Sequence, residues 1–248
     1  LNKGHLPTLQ KLGPLLLNNK QLDESENVFR SILELTAGQS NNPMVTQAYI
    51  ALGRIELSRN RLEKAKKRLS DALRNDPTSI EALQVMAEIM FHLGEWNALF
   101  KAYNTIISSC GDTEVVINAY FMKAFVLDKK MGKTEKAIQH HLKSLEIDDQ
   151  QAKVYLRMSE IYLRLDNYSE AVQAAGRGIA CSVDAAILSL LYLMRTCAEQ
   201  HMGNNEFASE LYGHAIEQND KIEKALGKSI PDSKRLKAYL HDLMEEVT

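Results

Sequence analysis

The sequence predicts an all-α fold, an α-solenoid of about six helix-turn-helix repeats closed by a C-terminal capping helix. Three observations carry that expectation. One amphipathic stretch recurs: LEKAKKRLSDALRNDP at 62–77, TEKAIQHHLKSLEIDD at 134–149 and YSEAVQAAGRGIACSV at 168–183. The small residues within it share a period. Ala137 and Ala171 are 34 apart, Ala65 and Ala137 are two such periods plus four apart, and Ala171 and Ala208 are one period plus three apart. The chain then ends on a single apolar helical face, with Leu236, Leu240, Leu243 and Met244 between Pro231 and Glu246 and Val247 just beyond, as a repeat array needs to cover its last core layer.

Composition is consistent with this. The 248 residues are 45% hydrophobic and 25% charged, enough for a sizeable core in one large domain or two small ones. A net charge of -2 lacks the basic excess that nucleic-acid or anionic-membrane binding favours, so neither partner is expected. The most apolar run, AAILSLLYLM at 185–194, is too short to span a bilayer. Three scattered cysteines, Cys110, Cys181 and Cys197, suit a reducing compartment, and a cytoplasmic or otherwise intracellular setting is expected. The chain starts at Leu1 rather than Met, which reads as a trimmed chain with targeting signals or further domains outside it.

In order along the chain, the repeats are 6–39 (Leu9, Leu12, Gly13, Leu22, Phe29, Leu33), 46–79 (Tyr49, Leu52, Gly53, Asn60, Ala65, Leu69, Ala72, Pro77) and 80–113 (Leu83, Met86, Ala87, Gly94, Tyr103). They continue as 118–151 (Phe121, Gly132, Ala137), 152–185 (Tyr155, Met158, Ser159, Tyr162, Ala171, Gly178) and 189–222 (Gly203, Ala208, Tyr212, Ala215), before the cap at about 231–246. This pattern resembles the tetratricopeptide repeat family: a large residue at position 4, small ones at 8, 20 and 27, a turn near 15 and Pro at 32. The resemblance implies one right-handed superhelical domain over 1–248. Two helices that cross closely need small side chains at the contact, which Gly53, Ala65 and Ala72 supply, as do Ser159, Ala171 and Gly178. Where one of the three is large another is small: Phe125 with Ala137 and Ser144, and Ala87 with Leu99 and Ile106. TEVVINAYF at 113–121 is the most strand-like piece, and without a hairpin partner it reads as the extended lead into the helix carrying Phe121. AGQSNNP at 37–43 reads as the loop between the first two repeats.

The resemblance further implies a concave groove lined by the first helix of each repeat. Its positions carry Arg54 and Ile50 in the second repeat, Met122, Lys123 and Lys130 in the fourth, and Lys153, Leu156, Arg157 and Arg164 in the fifth. Lys123, Lys130, Lys153, Arg157 and Arg164 are expected to line the groove with positive charge and take acidic groups of a protein or peptide, with Ile50, Met122 and Leu156 as apolar neighbours. Lys153 and Arg157 match the Lys and Arg with which some family members hold a C-terminal carboxylate. Gln84, Glu88 and Lys123 depart from the rest of that clamp, and Glu88 would repel a carboxylate. Leu190, Leu193 and Met194 give the sixth repeat an apolar face, read either as core covered by the C-terminal helix or as a partner or self-association surface.

No catalytic constellation, cofactor or metal is expected. Gly176-Arg177-Gly178 lies inside a helix with no strand before it, unlike a phosphate loop. Cys197 and His201 make at most half a metal site, and His141 occupies the usual aromatic position 24 of its repeat. Lys64 to Arg68 (KAKKR) reads as a solvated face beside Glu63 and Asp71. The expected function is a non-catalytic interaction scaffold binding a partner segment within a complex. The alternatives are the recruitment part of a larger enzyme, or a self-assembling oligomer.

Overall fold

The computed structural model describes residues 5–39 and 41–246, so Ser40 and Val247 lie outside it. It is all-α. Six helical hairpins follow one another: α1 (Leu6–Asn18) with α2 (Leu22–Leu35), α3 (Pro43–Ser58) with α4 (Leu62–Asn75), and α5 (Ile80–Leu93) with α6 (Trp96–Ser109). Next come α7 (Thr113–Phe125), continued by a π turn (Val126–Lys130), with α8 (Thr134–Ile147), then α9 (Ala152–Arg164) with α10 (Tyr168–Cys181), and α11 (Ala185–His201) with α12 (Asn205–Gln218). A short α13 (Asp220–Leu226) and α14 (Ser233–Glu246) complete the chain. The helices group into two compact units, Leu1–Ala119 and Tyr120–Thr248, with α7 running from one into the other. Within each unit the hairpins stack as a helical-repeat solenoid, second helix against the next first helix, as in α2 on α3, α4 on α5 and α10 on α11.

Every hairpin turns the same way. One residue per turn adopts a left-handed conformation: Lys20, Asn60, Gly94, Gly132, Asp166 and Gly203, with φ between 55° and 86°. Each stands five residues before the completely buried residue at the helix crossing, which is Ser25, Ala65, Leu99, Ala137, Ala171 or Ala208 in turn. The turn and the crossing therefore come as one fixed phrase, and this sets the helix-turn-helix register. First helices are started by side-chain caps, with Asn42, Ser79, Asp112 and Asp184 accepting from amides in the first turn. Asp112 also corrects one expectation. By capping the Glu114 amide at 2.9 Å it makes the 113–121 stretch helical from Thr113 onward, not extended. Its β-branched run is overruled by packing.

The tight crossings differ in one respect from the small-against-small pattern. A Cβ on Gly53 would lie 1.9 Å from Leu69 Cδ2, and one on Gly13 would lie 2.7 Å from Phe29 Cζ. In both hairpins the large residue sixteen positions later is laid across the glycine, so the glycine makes room for a side chain and not merely for a backbone. A Cβ on Gly178 would lie 2.7 Å from Leu191 Cδ2 and 3.0 Å from the Tyr155 Cβ, so this glycine has a packing role. Gly176 and Gly178 stand inside α10.

Three acids missed by the sequence reading sit buried near the end of a first helix: Glu56, Asp128 and Glu199. Each faces the start of the second helix of its hairpin. Thr134 Oγ1 donates to Asp128 at 2.9 Å, Asn204 Nδ2 donates to Glu199 at 2.6 Å, and Arg61 lies 3.5 Å from Glu56. Negative charge at a helix N-terminus is favourable, and each acid also ties the turn down. A signal was available, because each acid stands nine residues before the repeat alanine at 65, 137 or 208.

The C-terminal helix is present but does not simply extend the stack. Asp232 caps it, accepting from the Arg235 amide at 2.9 Å. Leu236, Leu240 and Met244 are buried in the core of the second unit with Leu190, Leu193, Met194 and Cys197. α14 packs on α11 rather than on the preceding second helix α12.

Candidate partner-binding surfaces

In the first unit, the first-helix face holds an open cavity of about 440 Å³ between α1, α2 and α3, with Glu81 of α5 at its edge. Pro14, Leu17 and Met44 give it an apolar wall. Arg54, half-exposed, places Nη2 3.2 Å from Glu81 Oε1, and Gln47 Nε2 donates to Glu81 Oε2 at 3.0 Å. Of the two residues expected here, Arg54 reaches the cavity with a polar head. Ile50 is 1% exposed and lines only its floor, as part of the core.

In the second unit, the expected basic residues divide. Lys130 and Lys153 are exposed. Lys123 is buried, and its pKa is lowered from the ordinary ammonium value first by that burial and then by Lys143. Leu156 is buried in the core and Met122 is half-buried. Arg157 and Arg164 meet acids of their own unit. Glu160 lies 3.1 Å from Arg157 and 2.6 Å from Lys129, and Asp128 lies 2.5 Å from Arg164. The Arg157 guanidinium also stands 5.8 Å from the centre of the Phe125 ring. The row of cations expected from spacing is therefore interlaced with two carboxylates. Asp128 takes the inward place that Glu56 and Glu199 take in the second and sixth hairpins, Glu160 stands one turn after Arg157 on α9, and Lys129, within the π turn at Val126–Lys130, also reaches Glu160.

Behind this face lie two histidines. His141 is 1% exposed and meets Phe121 edge-on at 5.7 Å, which is the core role its repeat position suggests. Burial pushes its pKa down to about 4, with Asp128 opposing and Arg157 and His140 adding to the effect. His140, tilted against Tyr120 at 5.9 Å, is also pushed down to about 4, by burial and then by Lys123 and Lys143.

The remaining candidates resolve into packing. The apolar Leu190–Leu193–Met194 face is covered by α14, as the first of its two readings expects. Cys197 is buried and its thiol is pushed up to about 11. His201 donates Nδ1–H to the Cys197 carbonyl oxygen at 2.7 Å and stacks on Tyr168 at 4.5 Å. Among the described residues no three His, Cys, Asp or Glu side chains are grouped to hold a metal ion. In the basic run 64–68, Lys66 bridges to Glu95 of the next hairpin at 2.5 Å. No helix among the described residues is long and apolar enough to cross a membrane.

The tetratricopeptide repeat model matches residues 117–151 and 152–179, the fourth and fifth hairpins. The fourth and fifth hairpins are tetratricopeptide repeats. Solved structures carry the likeness over more of its length. A tetratricopeptide repeat protein from Parabacteroides merdae is 19% identical, covering 97% of this chain and 87% of that one, with a TM-score of 0.63. The C-terminal part of a tetratricopeptide repeat-containing protein from Cytophaga hutchinsonii is 16% identical over 86% and 82%, with a TM-score of 0.69. YrrB, described as a tetratricopeptide-repeat protein with an unusual peptide-binding site, is 14% identical over 77% and 92%, with a TM-score of 0.56. At these identities the likeness is one of fold. No curated protein sequence matches the chain. Tetratricopeptide repeats serve as protein-interaction scaffolds, and that general role is the one this chain inherits.

Proposed function

We propose that this protein is a non-catalytic scaffold that holds an extended segment of a partner protein against the first-helix face of its first unit, as a member of a larger complex. The observation that supports this reading is the open cavity of about 440 Å³, where an apolar wall stands beside a solvent-facing polar triad of Gln47, Arg54 and Glu81. An extended segment presents side chains and unpaired amides together. Pro14, Leu17 and Met44 suit its apolar side chains, while Arg54 and Glu81 can exchange a weak exposed ion pair for bonds to its backbone. In the second unit, the exposed Lys130 and Lys153, with Arg157 and Arg164 between acids, are the residues proposed to meet acidic groups of a partner.

Affinity capture from the native extract tests the reading, with wild type run beside Leu17→Asp/Arg54→Glu and beside Lys130→Glu/Lys153→Glu, and folding of each checked by circular dichroism. A partner held by wild type and lost by the first variant supports the first-unit site. A partner lost only by the second variant moves the site to the second unit. A partner held equally by all three overturns both.

A further inference from the structure

The placement of α14 has a meaning beyond capping. The next helix of the array, α13, lies against the last second helix α12, whereas α14 turns back onto the first helix α11 and reaches the fifth hairpin. Its Leu236, Leu240 and Met244, at i, i+4 and i+8, cover Leu190, Leu193 and Met194. Lys237, one place after the first anchor, puts Nζ 2.7 Å from Asp166 in the α9–α10 turn and 5.9 Å from the centre of the Tyr168 ring. Apolar anchors on one face and a single basic contact at the rim are how an amphipathic helix is recognised by a groove.

The fit is incomplete. A cavity of about 110 Å³ remains among Leu163 and Arg164 of α9, Met194 of α11, and Leu240 and His241 of α14. The Lys237–Asp166 pair is exposed on both sides, where such pairs contribute little. The six residues from Gly227 to Asp232 form a tether between α13 and α14, held to the sixth hairpin by Tyr212 Oη donating to the Gly227 carbonyl at 2.7 Å and Gln200 Nε2 donating to the Pro231 carbonyl at 3.0 Å.

We propose that α14 is a resident pseudo-ligand on a second partner site, the α9–α11 face, and that a partner's amphipathic helix displaces it. That helix carries large apolar residues at i, i+4 and i+8, a Lys or Arg at i+1 to take over Asp166, and an aromatic residue at i+4, where Leu240 leaves the cavity unfilled. The site is separate from the first-unit cavity and stands whether or not that cavity binds a segment. The resident helix lowers the apparent affinity of any competitor by the fraction of time it occupies the face.

The test uses the full chain and labelled synthetic peptides of residues 229–246, followed by fluorescence anisotropy and hydrogen exchange. The peptide with Leu240→Trp is expected to bind the chain about tenfold more tightly than the unsubstituted peptide, because it fills the void. On binding, α14 amides in the chain should lose protection while α12 amides keep theirs. Lys237→Glu is expected to act with opposite signs: in the chain it loosens the resident helix and tightens peptide binding about two- to fivefold, and in the peptide it weakens binding by a similar factor. No binding of the Leu240→Trp peptide, binding that leaves α14 protection unchanged, or the same sign in chain and peptide each overturns the proposal.

Discussion

The buried histidine of the fourth hairpin ties stability to pH in a direction that the structure fixes. His141 is held neutral in the folded chain, its pKa pushed from 6.5 down to about 4, chiefly by burial. Released on unfolding, it regains its ordinary affinity for a proton, so between those two values the unfolded chain binds more protons than the folded one. Stability is thus fully present above pH 6.5 and falls as the pH drops toward 4. For one such group the loss is about 2 kcal/mol at pH 5 and about 3 kcal/mol at pH 4. His140, half-buried and shifted the same way, adds to it. His141→Phe removes the titration and retains a ring against Phe121. It also removes Nδ1, which is buried without a hydrogen-bond partner among the described residues, so about 1 kcal/mol of stabilisation is expected even at neutral pH. Urea unfolding at pH 5 and pH 7, read by circular dichroism, gives the comparison, and hydrogen exchange at α8 amides localises it. Wild type should lose stability between the two conditions, and His141→Phe should lose about 2 kcal/mol less. Equal losses in the two chains would refute the claim that burial of this imidazole drives the effect.

Other expectations follow from single contacts. Gly53→Ala places a Cβ 1.9 Å from Leu69 Cδ2 and should cost about 1–3 kcal/mol in thermal unfolding, with part of the loss recovered when Leu69→Ala is added. Lys20 occupies the left-handed turn position that three other hairpins fill with glycine, so Lys20→Gly should stabilise by about 0.5–1 kcal/mol, read in the same assay. Cys197, buried and with its thiol pushed up to about 11, should resist iodoacetamide in the native protein, whereas the partly exposed Cys110 should react; mass spectrometry of the labelled peptides distinguishes them.

The repeat architecture was legible because spacing is a one-dimensional property. Ala65, Ala137, Ala171 and Ala208 locate the crossings, and Asp76-Pro77 ends α4, with Asp76 extended as the residue before proline must be. What spacing did not reveal was depth. Lys123 and Leu156 fall at positions expected to face a partner, yet the structure buries both, because inward rotation of a residue depends on how its neighbours fill the space. The row of cations was misread for a related reason: Asp128 and Glu160 are as visible in the sequence as the cations, but that they meet Arg164 and Arg157 depends on which side chains face each other between neighbouring first helices and along α9. The role of α14 was half legible: its apolar face is written at 236, 240 and 244, but the surface receiving it is a matter of tertiary placement.

The buried acids of the second, fourth and sixth hairpins reveal a longer metre in the chain. Glu56, Asp128 and Glu199 recur at steps of 72 and 71 residues, and so does the Asp or Asn that ends α4, α8 and α12 (Asp76, Asp148 and Asn219), where α6 and α10 end on an extended Cys110 and Ser182. At the places of the acids the odd hairpins carry Leu16, Met90 and Tyr162. The interchangeable module is accordingly a pair of hairpins. Splicing out a pair between like points joins an acid-bearing hairpin to the context it came from. Splicing out one hairpin of about 34 residues instead alters which neighbours meet, so grafts and deletions in this scaffold should be cut in twos.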